Sequence, residues 1–142
     1  MNYSVNPINQ KKYIIPNILD DKNKIELFLN KNKNKKIVVI QGLGFVGAVM
    51  AIVVAKNPNY AVIGIDLPEE NTFWKIMSIN EGVFPIKASD PKIEKFYNNA
   101  MKSGNFYATY DPYSYSKADI IIVDINLDVE KKTGFFGDLE NY

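Results

Sequence analysis

The chain contains no cysteine, no histidine and no arginine. Without cysteine, these 142 residues hold no disulfide, no thiolate nucleophile and no cysteine-ligated metal. Without histidine, imidazole acid–base chemistry is excluded. Without arginine, the usual bidentate clamp on phosphate is missing. Charge of one sign is also lacking. Seventeen basic residues face 16 acidic ones, so the net charge is +1 and nothing global draws the chain to nucleic acid or to a membrane surface. Long apolar runs are absent as well. None reaches the roughly 20 residues that a membrane-spanning helix needs, and the N-terminus lacks the apolar segment of a secretory signal, so a cytoplasmic location is expected.

What is present is an ordinary globular composition. The hydrophobic fraction of 46% and the charged fraction of 23% suffice for one domain with a real core. The charge is unevenly placed, since residues 1–36 hold eight lysines against three acids. Residues 1–35 therefore read as a polar, basic arm carrying one short helix, Lys22 to Asn30, with Asp20 or Asp21 as its cap. The run KNKNKK at 31–36 reads as a solvated connector.

Residues 36–142 read as alternating strands and helices. Ile37–Gln41 is a buried strand, and a helix follows from about Phe45 to Lys56. Tyr60–Asp66 is the second strand. Asn71 or Thr72 caps a helix through Phe73, Trp74, Ile76 and Met77, which Asn80-Glu81-Gly82 ends. Phe84-Pro85-Ile86 is an extended loop. Asp90-Pro91 opens a further helix, closed by Ser103-Gly104-Asn105. Phe106–Thr109 is a short strand, and Asp111–Lys117 a tyrosine-rich turn. The branched apolar run from Ala118 to Ile125 suits a parallel strand covered on both faces. The order predicts an α/β, Rossmann-like, doubly wound parallel sheet in three layers. Asp138-Leu139-Glu140 resembles the start of another helix, so the chain reads as cut short inside its fold.

The chemistry gathers at the first strand. Gly42, Gly44 and Gly47 form G-x-G-x-x-G between a strand and a helix, the context that gives this pattern meaning. Gly42 permits a tight turn, Gly44 admits a pyrophosphate to the backbone, and Gly47 lets helix and strand pack closely. The backbone N–H groups of Phe45 and Val46, at the positive end of the helix dipole, face the phosphates. Asp66 ends the second strand about 20 residues later, where an acid accepts both hydroxyls of a ribose and repels a 2′-phosphate. NAD is the expected cofactor. Asp124 and Asp128, with no histidine and no tight acidic loop, do not make a metal set, and no metal is expected. The aromatic residues read as core and cleft packing rather than a nucleic-acid surface.

Several segments together resemble the NAD-binding domain of the UDP-glucose/GDP-mannose dehydrogenase family. They are GLGFVG with its aromatic Phe45, the acid Asp66, Lys75-Ile76 leading to Asn80, the Pro85-Ile86 loop, FYATYD, and SKADIIIVDIN. The resemblance implies that Lys75 approaches the adenosine end of NAD and that Thr109 lines the cofactor cleft. It further implies a nucleotide-sugar substrate oxidised at C6, polysaccharide biosynthesis, a homo-oligomeric whole protein, and a catalytic cysteine outside this chain. The family's Thr-Pro pair after ADIIIV, on the nicotinamide side, is replaced here by Asp124-Ile125-Asn126-Leu127. Its Glu-Pro-Gly after Pro-Ile is replaced by Lys87-Ala88-Ser89. Two other readings stay open: another NAD dehydrogenase of the hydroxyacid or 6-phosphogluconate type, and a non-catalytic module that senses a dinucleotide.

Overall fold

A computed structural model describes residues 2–125 of the chain. Its elements, in order, are β1 (Tyr3–Val5), β2 (Lys12–Ile14), α1 (Lys22–Lys31), β3 (Lys36–Gln41), α2 (Phe45–Ala55), β4 (Tyr60–Ile65), α3 (Phe73–Asn80), α4 (Pro91–Ser103), β5 (Phe106–Thr109), a 3-10 turn (Pro112–Lys117) and β6 (Ile120–Val123). The expectations for Asn126-Leu127, Asp128 and the helix start at Asp138 lie outside the described residues.

Four strands form one parallel sheet in the order β5-β4-β3-β6. This is the strand order that β-α-β crossovers of one hand build around a central first strand. Side chains alternate across it. Val38, Ile40, Val62, Phe106 and Ala108 pack on one face against Leu43, Ile52, Phe73, Ile76 and Tyr97 of α2, α3, α4 and the loop before α2. Ile37, Val39, Ala61, Ile63 and Ile65 pack on the other. Local signals agree with the elements. The Asp90 carboxylate caps α4 by accepting from the Lys92 N–H at 2.9 Å, Pro91 opens that helix, and Gly104 closes it at φ 70°.

The second face shows what the arm does. Ile25 and Phe28 of α1 are buried there, and the Phe28 ring lies 5.8 Å from that of Tyr107. Covering two such side chains stabilises the fold by roughly 3–5 kcal/mol before entropy is counted. The segment before α1 is ordered too. β1 and β2 pair as an antiparallel hairpin against α3. The Ser4 hydroxyl donates to the Glu70 carbonyl at 2.7 Å and accepts from the Trp74 N–H at 2.9 Å. Tyr13 and Lys11 both donate to Glu81, at 2.8 and 2.7 Å.

Three local expectations change. Of the two residues offered as cap for α1, Asp20 accepts from the Lys22 N–H at 3.1 Å, whereas Asp21 stands at the helix start with its carboxylate turned inward. Thr72 precedes α3, yet its hydroxyl closes the preceding loop on Leu67 and Glu69. β6 was expected to be covered on both faces. Instead Ile120, Ile121 and Val123 are exposed by 42–59%, because among the described residues β6 is an outer strand that pairs only with β3.

Candidate functional site

Backbone geometry at the end of β3 gives each glycine a separate job. Gly42 sits at φ 101°, and a Cβ there would lie 2.0 Å from the Asp124 carbonyl oxygen. A Cβ on Gly47 would lie 1.9 Å from the Gly42 carbonyl oxygen. Those two positions are closed to side chains by the fold. Gly44 is the reverse: a Cβ there meets nothing within 4 Å. The fold does not require glycine at 44, so the open approach to its backbone is available to a ligand.

Gly44 begins α2 and brings no side-chain cap. The first turn of α2 therefore presents its backbone donors uncapped by any side chain, at the positive end of the helix. Phe45 and Val46 are exposed beside them by 61% and 55%. These residues form one wall of a cleft of about 420 Å³ at the C-terminal ends of β3, β4 and β6. The chain leaves β3 toward β4 on one side, with β6 on the other. That makes this the switch point where open α/β sheets bind ligands.

Asp66 forms a second wall. One carboxylate oxygen accepts from the Leu43 N–H at 2.9 Å, and the other from the Leu67 N–H at 2.8 Å. Its own N–H donates to the Thr109 carbonyl at 3.2 Å. The acid is thus held at both ends beside the glycine turn. Its charge is one reason the nearby Tyr115 hydroxyl resists ionisation, after burial as the main cause. Thr72 and Lys75 of the α3 region complete that side, and Asp124 and Ile125 close the other.

Of the residues singled out in the sequence, Gly42, Gly44, Phe45, Val46, Asp66 and Lys75 line one cleft, and Gly47 lies directly behind its turn. Thr109 does not line it. Its side chain is fully buried, donates to Asp21 at 2.7 Å and accepts from the Asp111 N–H at 3.1 Å. Tyr107 donates to the same Asp21 oxygen at 2.6 Å, and burial, with that carboxylate second, pushes its pKa up. The hydroxyl at 109 thus anchors the N-terminal segment instead of facing a ligand, because Asp21 reaches it first. Asp124, in the sequence a rejected metal ligand and part of the stretch replacing the family's Thr-Pro pair, lines the cleft from the end of the strand on the far side of β3.

A larger cavity of about 540 Å³ lies elsewhere, between the 82–88 loop and α4. The Pro-Ile loop rims it. Phe84 packs there 5.1 Å from the ring of Tyr97, whose hydroxyl donates to the Ile79 carbonyl. It contains none of the glycine-turn residues. Among the described residues no group of three metal-binding side chains comes together, and no helix is long and apolar enough to cross a membrane.

Comparison with known proteins supplies an independent line. Residues 35–139 match the model of the UDP-glucose/GDP-mannose dehydrogenase family, NAD binding domain. The chain is 34% identical over 100 residues to the UDP-glucose 6-dehydrogenase of Campylobacter jejuni, covering 70% of this chain and 23% of that protein. It resembles in structure the NDP-N-acetyl-D-galactosaminuronic acid dehydrogenase of Methanosarcina mazei, with a TM-score of 0.64 and 25% identity over 82% of this chain and 25% of that one. The UDP-D-ManNAc dehydrogenase of Pyrococcus horikoshii shares the fold, with a TM-score of 0.55 and 22% identity over 66% of this chain and 21% of that one. The chain thus spans about a quarter of the length of these relatives.

Proposed function

Because the chain belongs to the UDP-glucose/GDP-mannose dehydrogenase family, through that family's NAD-binding domain, we propose that it is the NAD-binding part of an enzyme that oxidises the C6 alcohol of a nucleotide sugar to a uronate. The observation that carries this reading is the pairing of an open backbone at Gly44 with Asp66 fixed beside it by the Leu43 N–H. A pyrophosphate needs the first and an adenosine ribose the second.

Gly42 and Gly47 shape the turn, and Gly44 leaves room for the phosphates. The N–H groups of Phe45 and Val46 hold the pyrophosphate at the start of α2. Asp66 accepts the ribose hydroxyls and disfavours a 2′-phosphate, and Lys75 stands toward the adenosine end. Thr109 contributes indirectly, through the carbonyl that holds the Asp66 amide. When bound, NAD supplies the hydride acceptor, and this chain supplies binding and orientation. Residues 36–142 would then be the dinucleotide unit and residues 1–35 a preceding segment. No residue of this chain is assigned to the sugar. The relatives' names support a nucleotide-sugar substrate; a cytoplasmic, homo-oligomeric enzyme of polysaccharide biosynthesis is what the family resemblance adds to this reading.

Calorimetric titration with NAD and NADP tests the reading. NAD should bind at least about tenfold more tightly, the scale set by one unfavourable charge contact in a partly buried site. No heat of binding from NAD at millimolar concentration would overturn it.

A further inference from the structure

The two sides of the cleft are built alike. Gln41, the last residue of β3, pairs with Ile65 of β4 on one side and with Val123 of β6 on the other. The residues that follow these three at the same level are Asp66, Gly42 and Asp124. Two aspartates therefore flank the glycine turn, one strand away on each side. Neighbouring strands lie about 4.8 Å apart, so the two acids are separated by about 10 Å across the turn. A dinucleotide has the same plan, with a central pyrophosphate and one ribose on each side.

The two carboxylates differ in what they already hold. Those of Asp66 are tied to two N–H groups. Asp124 is half-buried in the cleft wall. Its backbone N–H is fixed to the Gln41 carbonyl at 2.8 Å, and its carbonyl lies against Gly42. Its carboxylate would touch a Cβ on Gly47 at 3.0 Å, which places it against the first turn of α2. Among the described residues it takes no hydrogen bond and forms no ion pair. That carboxylate lines the cleft, where a ligand hydroxyl can donate to it.

We propose that Asp124 is a second ribose-binding acid, accepting the hydroxyls of the ribose on the nicotinamide side as Asp66 accepts those on the adenosine side. This rests on the dinucleotide reading above.

The test is calorimetric titration of the 142-residue chain with NAD, ADP-ribose and ADP. ADP lacks the second ribose, and ADP-ribose keeps it without the nicotinamide ring. Asp124→Ala should weaken NAD and ADP-ribose about tenfold, as loss of a charge-assisted bond does, and leave ADP unchanged. Asp66→Ala should weaken all three. Unchanged NAD binding by Asp124→Ala would overturn the assignment. So would tighter binding of NAD and ADP, which would make Asp124 only a repulsive charge beside the phosphates. A loss confined to NAD, with ADP-ribose unaffected, would move Asp124's partner to the nicotinamide ring and overturn it as well. If circular dichroism finds Asp124→Ala unfolded, the isosteric Asp124→Asn decides. It keeps one acceptor and should weaken NAD about threefold, with unchanged binding again overturning the proposal. Failure of the unsubstituted chain to bind both NAD and ADP would be the separate failure of the dinucleotide reading.

Discussion

Replacing Gly44 by alanine separates a glycine needed for folding from one needed for a ligand. Gly44 lies at φ −72° and ψ −167°, a conformation alanine adopts freely, and its Cβ would enter open space. Two small terms act on stability. Alanine narrows the unfolded ensemble, worth about 0.4–1 kcal/mol in favour of folding. It is also a poorer first residue for a helix than glycine, which costs a similar amount. The sum is within about 1 kcal/mol of zero, a melting shift of no more than about 4 °C for a chain of this size. Binding should respond differently. The added methyl stands where the pyrophosphate must meet the backbone, so NAD affinity should fall by at least about tenfold, or about 1.4 kcal/mol. Gly47→Ala is the control: its Cβ would lie 1.9 Å from the Gly42 oxygen, so α2 must shift and stability should fall by several kcal/mol. Thermal melts and NAD titrations of both variants decide. Gly44→Ala with wild-type affinity for NAD would refute the placement of the pyrophosphate at this turn.

Other outcomes follow from the same geometry. Asp66→Asn should narrow the preference for NAD over NADP, read as the ratio of the two dissociation constants; an unchanged ratio would leave Asp66 a purely structural acid. Asp21→Ala removes the shared acceptor of two buried hydroxyls, those of Tyr107 and Thr109, and should cost about 2–4 kcal/mol in urea unfolding; a loss under 1 kcal/mol would contradict the anchoring role. Stability should fall in the alkaline range. Burial, reinforced by Glu81, pushes Tyr13 from 10.0 up to about 12. Between those values the folded chain keeps a proton that the unfolded chain releases, so stability present below pH 10 is lost as pH rises toward 12. Tyr13→Phe should flatten that limb of the melting profile.

The sheet and its cleft were readable because their signals are local. A buried apolar run, a glycine turn and an acid at the next strand end are each written in a few consecutive residues. Strand order then brings Gly44, Asp66 and Lys75 together, and that order follows from the handedness of the crossovers. Thr109 was misplaced for a reason the local pattern does not contain. Its partner, Asp21, is 88 positions away in a segment that reads as a basic arm. Asp124 reaches the cleft only through strand order, because β6 lies beside β3 and brings its end to the level of Gly42 opposite Asp66.

The N-terminal segment follows from counting sheet faces. Helices α2, α3 and α4 all lie on one face of the sheet, because each connects parallel strands on the same side of β3. The link from β5 to β6 crosses the other face with only a six-residue 3-10 turn, too little to cover Ile37, Val39, Ile63 and Ile65. A parallel sheet with a bare apolar face is not stable in water. Some other part of the chain must supply the second layer, and α1 is the segment that brings Ile25 and Phe28 to it. The lysines of 22–36 are then the solvent side of a covering helix and its exit, which accounts for their excess without an anionic partner. The same docking carries Asp21 to the end of β5, where Thr109 holds the Asp66 amide. A segment outside the matched family region is thereby tied, through two residues, to the acid that lines the cleft beside the glycine turn.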